Sequence, residues 1–328
     1  MNLRRLALLL LPLTCLLARP GLAFETAAKA AIMLDNRTGQ VLFAKDADVA
    51  LPPASMSKLM TAYMVFEQLR QGRLKLDDML PVSEHAWKMG GSQMFLEVGD
   101  RVSVGDLLRG IIIQSGNDAC VVVAEALAGS EPAFAEMMNA RAAELGLTAS
   151  HFANSNGLDE PGHLMSVRDL AVLARRIIQD FPEFYSIYSE REYTYGGIKQ
   201  QNRNPLLQAG VPGVDGMKTG YTSQAGYGLV TSAQRGDQRL ILVIAGLPSL
   251  KARSAEAARL LEYGFREFQE YAVFKPGQVV READVWFGEQ PKVPLVAADM
   301  VAVTLSREAR KGMPGWRIGW MLAPKSLS

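Results

Sequence analysis

The sequence predicts a mixed α/β fold of the α+β kind: an antiparallel sheet sandwiched by helices, with a helical subdomain inserted between its strands. Three observations carry this expectation. Strand-like segments occur near residues 30–45 and again at 226–246, far apart in the chain. The stretch 80–180 between them has largely helical periodicity. A further helical segment, 254–271, follows the second strand group, so the order is sheet, helices, sheet, helix. Past it the chain turns short, β-leaning and turn-rich, which predicts a small C-terminal β-rich domain.

Each element follows from local chemistry. Arg4 and Arg5 precede an apolar run from Leu6 to Leu17, and Gly21-Leu22-Ala23 then offers small residues at the two positions read by a signal peptidase. Cleavage is expected after Ala23, with export to the periplasm. The run is shorter than the ~20 residues of a membrane span. Ala30 to Lys45 reads as a hairpin around Asp35-Asn36-Arg37-Thr38-Gly39. After Pro52-Pro53, residues 55–70 carry Leu59, Met60, Tyr63, Met64, Phe66 and Leu69 on one broad helical face. Segments 104–113 and 118–128 read as helices broken at Gln114-Ser115-Gly116-Asn117, and 131–146 as a third helix ending at Gly146. Ser166, with Asp169 three residues on, is a helix start. Phe274-Lys275-Pro276-Gly277 reads as a linker. The predicted organisation is a signal peptide at 1–23, a main domain at 24–272 and a small β-rich domain at 273–328, which the family resemblance given below implies is reduced.

Composition excludes some function classes. Net charge is +1 with 21% charged residues, so there is no nucleic-acid footprint. Cys15 leaves with the signal, and Cys120, inside an apolar run, has no internal partner for a disulfide. His85, His151 and His163 are the only histidines and lack the H-E-x-x-H spacing, so no metal site is expected. His163 reads as a loop residue.

Three short strings carry chemistry: Ser55-Met56-Ser57-Lys58, Ser115-Gly116-Asn117 and Lys218-Thr219-Gly220. On a helix, residues i and i+3 share a face, so Lys58 can reach the Ser55 hydroxyl. An ordinary lysine pKa near 10.4 leaves it protonated, so a base role requires burial or a nearby cation. Lys218 is the expected cation, giving a coupled pair with one lysine neutral and one charged. Ser115 can relay a proton to a leaving amine, and the Asn117 amide can accept a substrate N–H and hold Lys58. The 218–220 string reads as an edge strand facing a cleft, with the Tyr221 N–H free for an oxyanion and Lys218 and Thr219 for a substrate carboxylate. Gly220 is expected to leave room for the substrate. Alone, an S-x-x-K string occurs about once by chance in such a chain. Serine, lysines and strand in this order point to acyl transfer through a serine ester.

With these strings, His151-Phe152, Asn156-Gly157-Leu158-Asp159, Tyr185-Ser186-Ile187-Tyr188, Asn202-Arg203-Asn204, Val214-Asp215-Gly216 and Trp286-Phe287-Gly288 give a resemblance from about Ala30 to about Phe287. The chain resembles the low-molecular-mass penicillin-binding D-alanyl-D-alanine carboxypeptidases, the S11 serine peptidases, with their β-lactamase/transpeptidase-like fold. The resemblance implies Ser55 as acylated nucleophile, Lys58 as base, and Ser115, Asn117, Lys218 and Thr219 as the cleft walls. It implies Arg253 as a ligand of the substrate's terminal carboxylate and Arg203 in a supporting role. The implied substrate is the peptidoglycan stem pentapeptide, with β-lactam antibiotics as acylating inhibitors and no cofactor. D,D-endopeptidase action on cross-links is the alternative. A β-lactamase or a non-catalytic sensor fits less well, because Glu136-Met137-Met138-Asn139 lacks the E-x-x-x-N spacing of a deacylating glutamate. Relatives often carry His at the position of Tyr221. They also often end in an amphipathic membrane-surface helix, whereas Ala323–Ser328 has no wide apolar stripe opposite a basic face. Membrane association is therefore possible but not supported by this C-terminus.

Overall fold

The structure, a computed structural model, describes residues 25–286 and 290–311. The expected signal segment, Phe287-Gly288 and Ala323–Ser328 lie outside the described residues. Strands β1 (Ala30–Asp35) and β2 (Val41–Lys45) form the expected hairpin. Helix α1 (Lys58–Arg70) follows. The helical insert comprises α2 (Glu84–Lys88), α3 (Val104–Arg109), α4 (Asn117–Ala128), α5 (Glu131–Glu144) and α6 (Val167–Asp180), with β3 (Met79–Pro81) pairing β4 (Arg101–Ser103). The hairpin of β5 (Glu192–Tyr195) and β6 (Ile198–Gln201) and the short α7 (Pro205–Gln208) lead to β7 (Val214–Thr222), β8 (Gly226–Arg235) and β9 (Gln238–Leu247). Helix α8 (Leu250–Glu267) returns across the sheet.

The central sheet is antiparallel throughout, in the order β2-β1-β9-β8-β7. Side chains alternate faces along a strand, so one strand feeds two cores. In β1, Ala30, Ile32 and Leu34 join one apolar cluster, while Ala31 and Met33 join the other. In β9, Ile241 and Val243 face the helical insert, and Leu240, Leu242 and Ile244 face α8. Both faces are covered, which explains why these strands read as unbroken apolar runs. The predicted sandwich is the observed one.

Serine caps set the helix starts. Ser166 Oγ accepts the Asp169 N–H at 3.0 Å, as the spacing predicts, and Ser83, Ser103, Ser130 and Ser249 cap α2, α3, α5 and α8 in the same way. The expected helix at 254–271 needs correction at both ends. Ser249 starts it at Leu250, and it stops at Glu267. Residues 268–271 instead open β10 (Phe268–Phe274), where Phe268 and Tyr271, both aromatic, suit a strand. β10 pairs with β13 (Val301–Ser306), while β11 (Val279–Asp284) pairs with β12 (Lys292–Val296), and α9 (Arg307–Lys311) follows. The expected boundary at 273 thus falls inside β10, and Lys275–Gln278 is a turn within the C-terminal strands.

Cys120 lies fully buried in α4, and burial pushes its thiol up to about 12. Among the described residues no helix is long and apolar enough to cross a membrane.

Candidate active site

The first wall of the site is a tight turn. Ala54 adopts a left-handed φ of +48°, and residues 54–57 form a 3₁₀ turn that runs into α1. Side chains at i and i+3 eclipse one another in such a turn, which is stricter than the α-helical proximity expected from the sequence. Lys58 Nζ accordingly donates to Ser55 Oγ at 2.9 Å. It also donates to Asn117 Oδ1 at 2.7 Å and to the Asn156 carbonyl. Lys58 is 1% exposed, so its ammonium exchanges water for three fixed acceptors.

The second wall is the helix break. Residues 110–114 form a π turn, and Ser115 takes the left-handed region at φ +63°. Asn117 begins α4, its N–H donating to Ser92 O at 2.7 Å and its Nδ2 to Gly90 O at 2.8 Å. The buried Asp118 carboxylate accepts the Met94 and Leu96 N–H groups, fixing the 92–96 loop against this wall.

The third wall is β7, at one edge of the sheet and, among the described residues, paired with β8 alone. Lys218 and Thr219 are buried, whereas Tyr221 is 54% exposed. Lys218 Nζ donates to Ser115 Oγ at 2.8 Å and to Thr219 O at 3.2 Å. Gly220 lines the cleft and also has a packing reason. A Cβ there would meet Pro53 O at 2.8 Å and Met56 Cγ at 3.0 Å, so the strand lies directly on the nucleophile turn.

Ser55, Ser115, Arg203, Thr219, Tyr221 and Arg253 line one cleft of about 460 Å³. Arg203 Nη1 donates to Ser92 Oγ at 2.5 Å on its rim. Arg253, 5% exposed on α8, lies over the Tyr227 ring at 5.8 Å, and its Nε has no hydrogen-bond partner among the described residues. Tyr227 in turn stacks on Tyr221 at 4.2 Å. All ten residues expected in the site are therefore gathered around one cleft.

Burial pushes Lys58 down to about 8, and the field of Arg203 adds to it. Burial also drives Lys218 well below the ordinary lysine value, with Lys58 and then Arg203 as further causes. Both lysines are thus lowered, and the two ammonium groups disfavour one another in one dry site. Charged Lys58 has three acceptors, one of them the Asn117 amide oxygen, whereas Lys218 has a hydroxyl and one carbonyl.

Sequence reasoning missed several supports. Glu131 Oε1 accepts the Ser155 N–H and the Asn156 Nδ2, each at 3.0 Å, and so places the carbonyl that Lys58 uses. Gly157, at φ +81°, lets this loop touch the nucleophile turn, since a Cβ would meet Ala54 O at 2.2 Å. The Asn156-Gly157 pair was the available signal. Ser92 and Tyr227 carried none. Glu136 is exposed on α5, and Asn139 is spent on the Phe152 backbone, donating to its carbonyl and accepting its N–H at 2.8 Å each. His163 lies in a loop, as read, and is buried there.

This fold and this cleft define the class of active-site-serine, penicillin-binding acyl enzymes. The sequence pattern of the D-alanyl-D-alanine carboxypeptidase family, Peptidase S11, matches residues 18–249, and that of the penicillin-binding protein 5 C-terminal domain matches 268–313. The chain belongs to the S11 D-alanyl-D-alanine carboxypeptidase family. It is 44% identical over 292 residues to D-alanyl-D-alanine carboxypeptidase DacC of Escherichia coli, spanning 87% of this chain and 73% of that protein. The crystal structure of penicillin binding protein 5 from Haemophilus influenzae is similar at TM-score 0.82 and 41% identity, covering 86% of this chain and 83% of that one. Penicillin-binding protein D2 from Listeria monocytogenes, solved in its ampicillin-bound form, is similar at TM-score 0.68 and 30% identity, covering 74% and 99%.

Proposed function

We propose that this protein is a serine-type D-alanyl-D-alanine carboxypeptidase that removes the terminal D-Ala from peptidoglycan stem peptides and is acylated by β-lactams. The observation that carries this is a pair of serine–lysine contacts, Ser55–Lys58 and Ser115–Lys218, facing one cleft at an open sheet edge.

The steps follow from the contacts. Neutral Lys58 takes the Ser55 proton as Oγ attacks the penultimate D-Ala carbonyl. The substrate pairs with β7, and the Tyr221 N–H meets the developing oxyanion. Lys218, Thr219 and Arg253 hold the terminal carboxylate, with Arg203 supporting the rim. Ser115, donated to by Lys218, passes a proton to the departing D-Ala amine. Water then cleaves the Ser55 ester. Among the described residues no carboxylate lines this cleft, which favours a persistent penicilloyl adduct. Residues 1–23 support export to the periplasm as the place where this substrate is met.

The test pairs labelled penicillin with a D-Ala-D-Ala-terminated peptide, using wild type and Ser55→Ala. Wild type should take the label, hold it and release D-Ala, and the variant should do neither. A wild type that releases no D-Ala refutes the assignment, and rapid loss of label points to a β-lactamase.

A further inference from the structure

Arg253 is a buried cation with few groups to hold it. Among the described residues no carboxylate pairs with it. Its Nη1 donates to Gly228 O at 3.5 Å, at the long limit of a hydrogen bond, and its buried Nε has no partner among the described residues. Burial pulls the guanidinium below its ordinary value. A buried charge of this kind needs either a counter-ion or a fixed support that faces it.

The support is aromatic. Tyr227 lies near the start of β8 and, two residues before Leu229, shares its face toward α8. The Arg253 guanidinium lies over the Tyr227 ring, 5.8 Å from its centroid. A ring face attracts a cation without taking up its N–H groups, so those donors stay free for an anion. Tyr227 is held in turn from the other side of the strand pair. It stands opposite Tyr221 in the β7–β8 register, and the two rings stack at 4.2 Å with 26° between their planes. The β8–β9 register slips just here. Tyr227 faces Leu247 and Leu229 faces Ile244, with Gly246 at φ +76° inside the slip. Such a bulge beside a site re-aims the side chains next to it.

Thr219 and Tyr221 share one face of β7 by the two-residue alternation, and both line the cleft with Tyr227 and Arg253. A ladder of contacts therefore runs from the strand residue whose N–H meets the oxyanion, through two stacked rings, to the guanidinium. The scissile carbonyl and the end of the substrate are thereby read by groups in mutual register.

Resting on the carboxypeptidase reading, we propose that Tyr227 is a positioning residue: braced by Tyr221, its ring face holds the Arg253 guanidinium so that the free N–H groups meet the substrate's terminal carboxylate. Preference for an anionic substrate end thus depends on an uncharged ring as well as on the arginine.

The test compares acylation by benzylpenicillin with acylation by its methyl ester, which lacks the carboxylate charge. It needs no release of D-Ala. Wild type should react faster with the acid. Tyr227→Leu and Tyr227→Met should lower the second-order rate about tenfold on the acid and little on the ester. Tyr227→Phe, which keeps the ring, should restore the wild-type ratio. On an Arg253→Ala background Tyr227→Leu should cost nothing further, because both residues act through one contact. Full labelling at the end of the reaction reports an intact fold in each variant. Equal losses on acid and ester overturn the assignment, since a structural role alone would produce them. So do an unchanged ratio in the Leu and Met variants, a failure of Tyr227→Phe to restore it, or an undiminished loss on the Arg253→Ala background. If the variants behave as expected but wild type releases no D-Ala from a D-Ala-D-Ala-terminated peptide, the positioning role stands and the carboxypeptidase reading falls.

Discussion

Lys58 Nζ lies 2.7 Å from Asn117 Oδ1, although 59 residues separate them in the chain. The contact ties the nucleophile turn to the helix break, so the lysine that serves Ser55 is held by a residue of the opposite wall. Replacing Asn117 by Ala removes that hold and leaves Lys58 one acceptor fewer in a dry site. The second-order acylation rate with penicillin should fall about 10²-fold or more. Stopped-flow labelling of Asn117→Ala and Asn117→Asp checks this, and an unchanged rate in Asn117→Ala would remove Asn117 from the machinery.

Lys58 also sets a pH dependence. Its folded value of about 8 lies below the ordinary lysine value of about 10.4, because burial disfavours the charged form. Acylation should therefore rise as pH passes through about 8, where the neutral base accumulates. The stability sign is the same. Between the two values the unfolded chain binds more protons than the folded one, so stability rises with pH over that window and is lower below it. Charged Lys58 costs of order 3 kcal/mol at pH 7 relative to pH above 10.5. Denaturant midpoints of wild type and Lys58→Met should converge or cross as pH rises through this range. Parallel pH curves would contradict it.

Gly157 bears on the fold and the site together. Gly157→Ala adds strain at a positive φ and forces a Cβ onto the Ala54 carbonyl, which its 2.2 Å approach forbids. A loss of about 2–4 kcal/mol is expected, read as a lower urea midpoint. Penicillin labelling should fall as well, because the displaced loop carries the Asn156 carbonyl that Lys58 uses.

Arg253 should discriminate by the charge at the end of the substrate. Arg253→Ala is expected to lower kcat/KM about 10–100-fold for a peptide ending in a free carboxylate. A peptide ending in an amide should show little change. Equal losses on both substrates would assign Arg253 to packing against Tyr227 instead.

The fold was legible in the sequence because the two apolar faces of β1, β8 and β9 and the serine caps are local signals. The helix–strand switch at Phe268 was not, since Arg266, Glu267 and Gln269 suit a helix and only pairing with β13 makes the segment a strand. The site's named residues were legible as strings whose residue types fit one chemistry. Their supports were less so. Glu131 looks like an ordinary acid in a helix's first turn, and its grip on Asn156 exists only in three dimensions. The packing role of Gly220 was not legible because its contact with Pro53, 167 residues earlier, leaves no local trace.

Cys120, buried beside this machinery and held at about 12, gives the molecule a built-in gauge of integrity. A thiol that is neither exposed nor ionised near neutral pH should ignore aqueous disulfide reagents while the chain is folded. With no cystine among the described residues, reductants should leave the fold intact. The rate at which that sulfur becomes reactive would therefore clock the opening of α4 itself. A chemical label at Cys120 could then follow the loosening of the cleft's own scaffold.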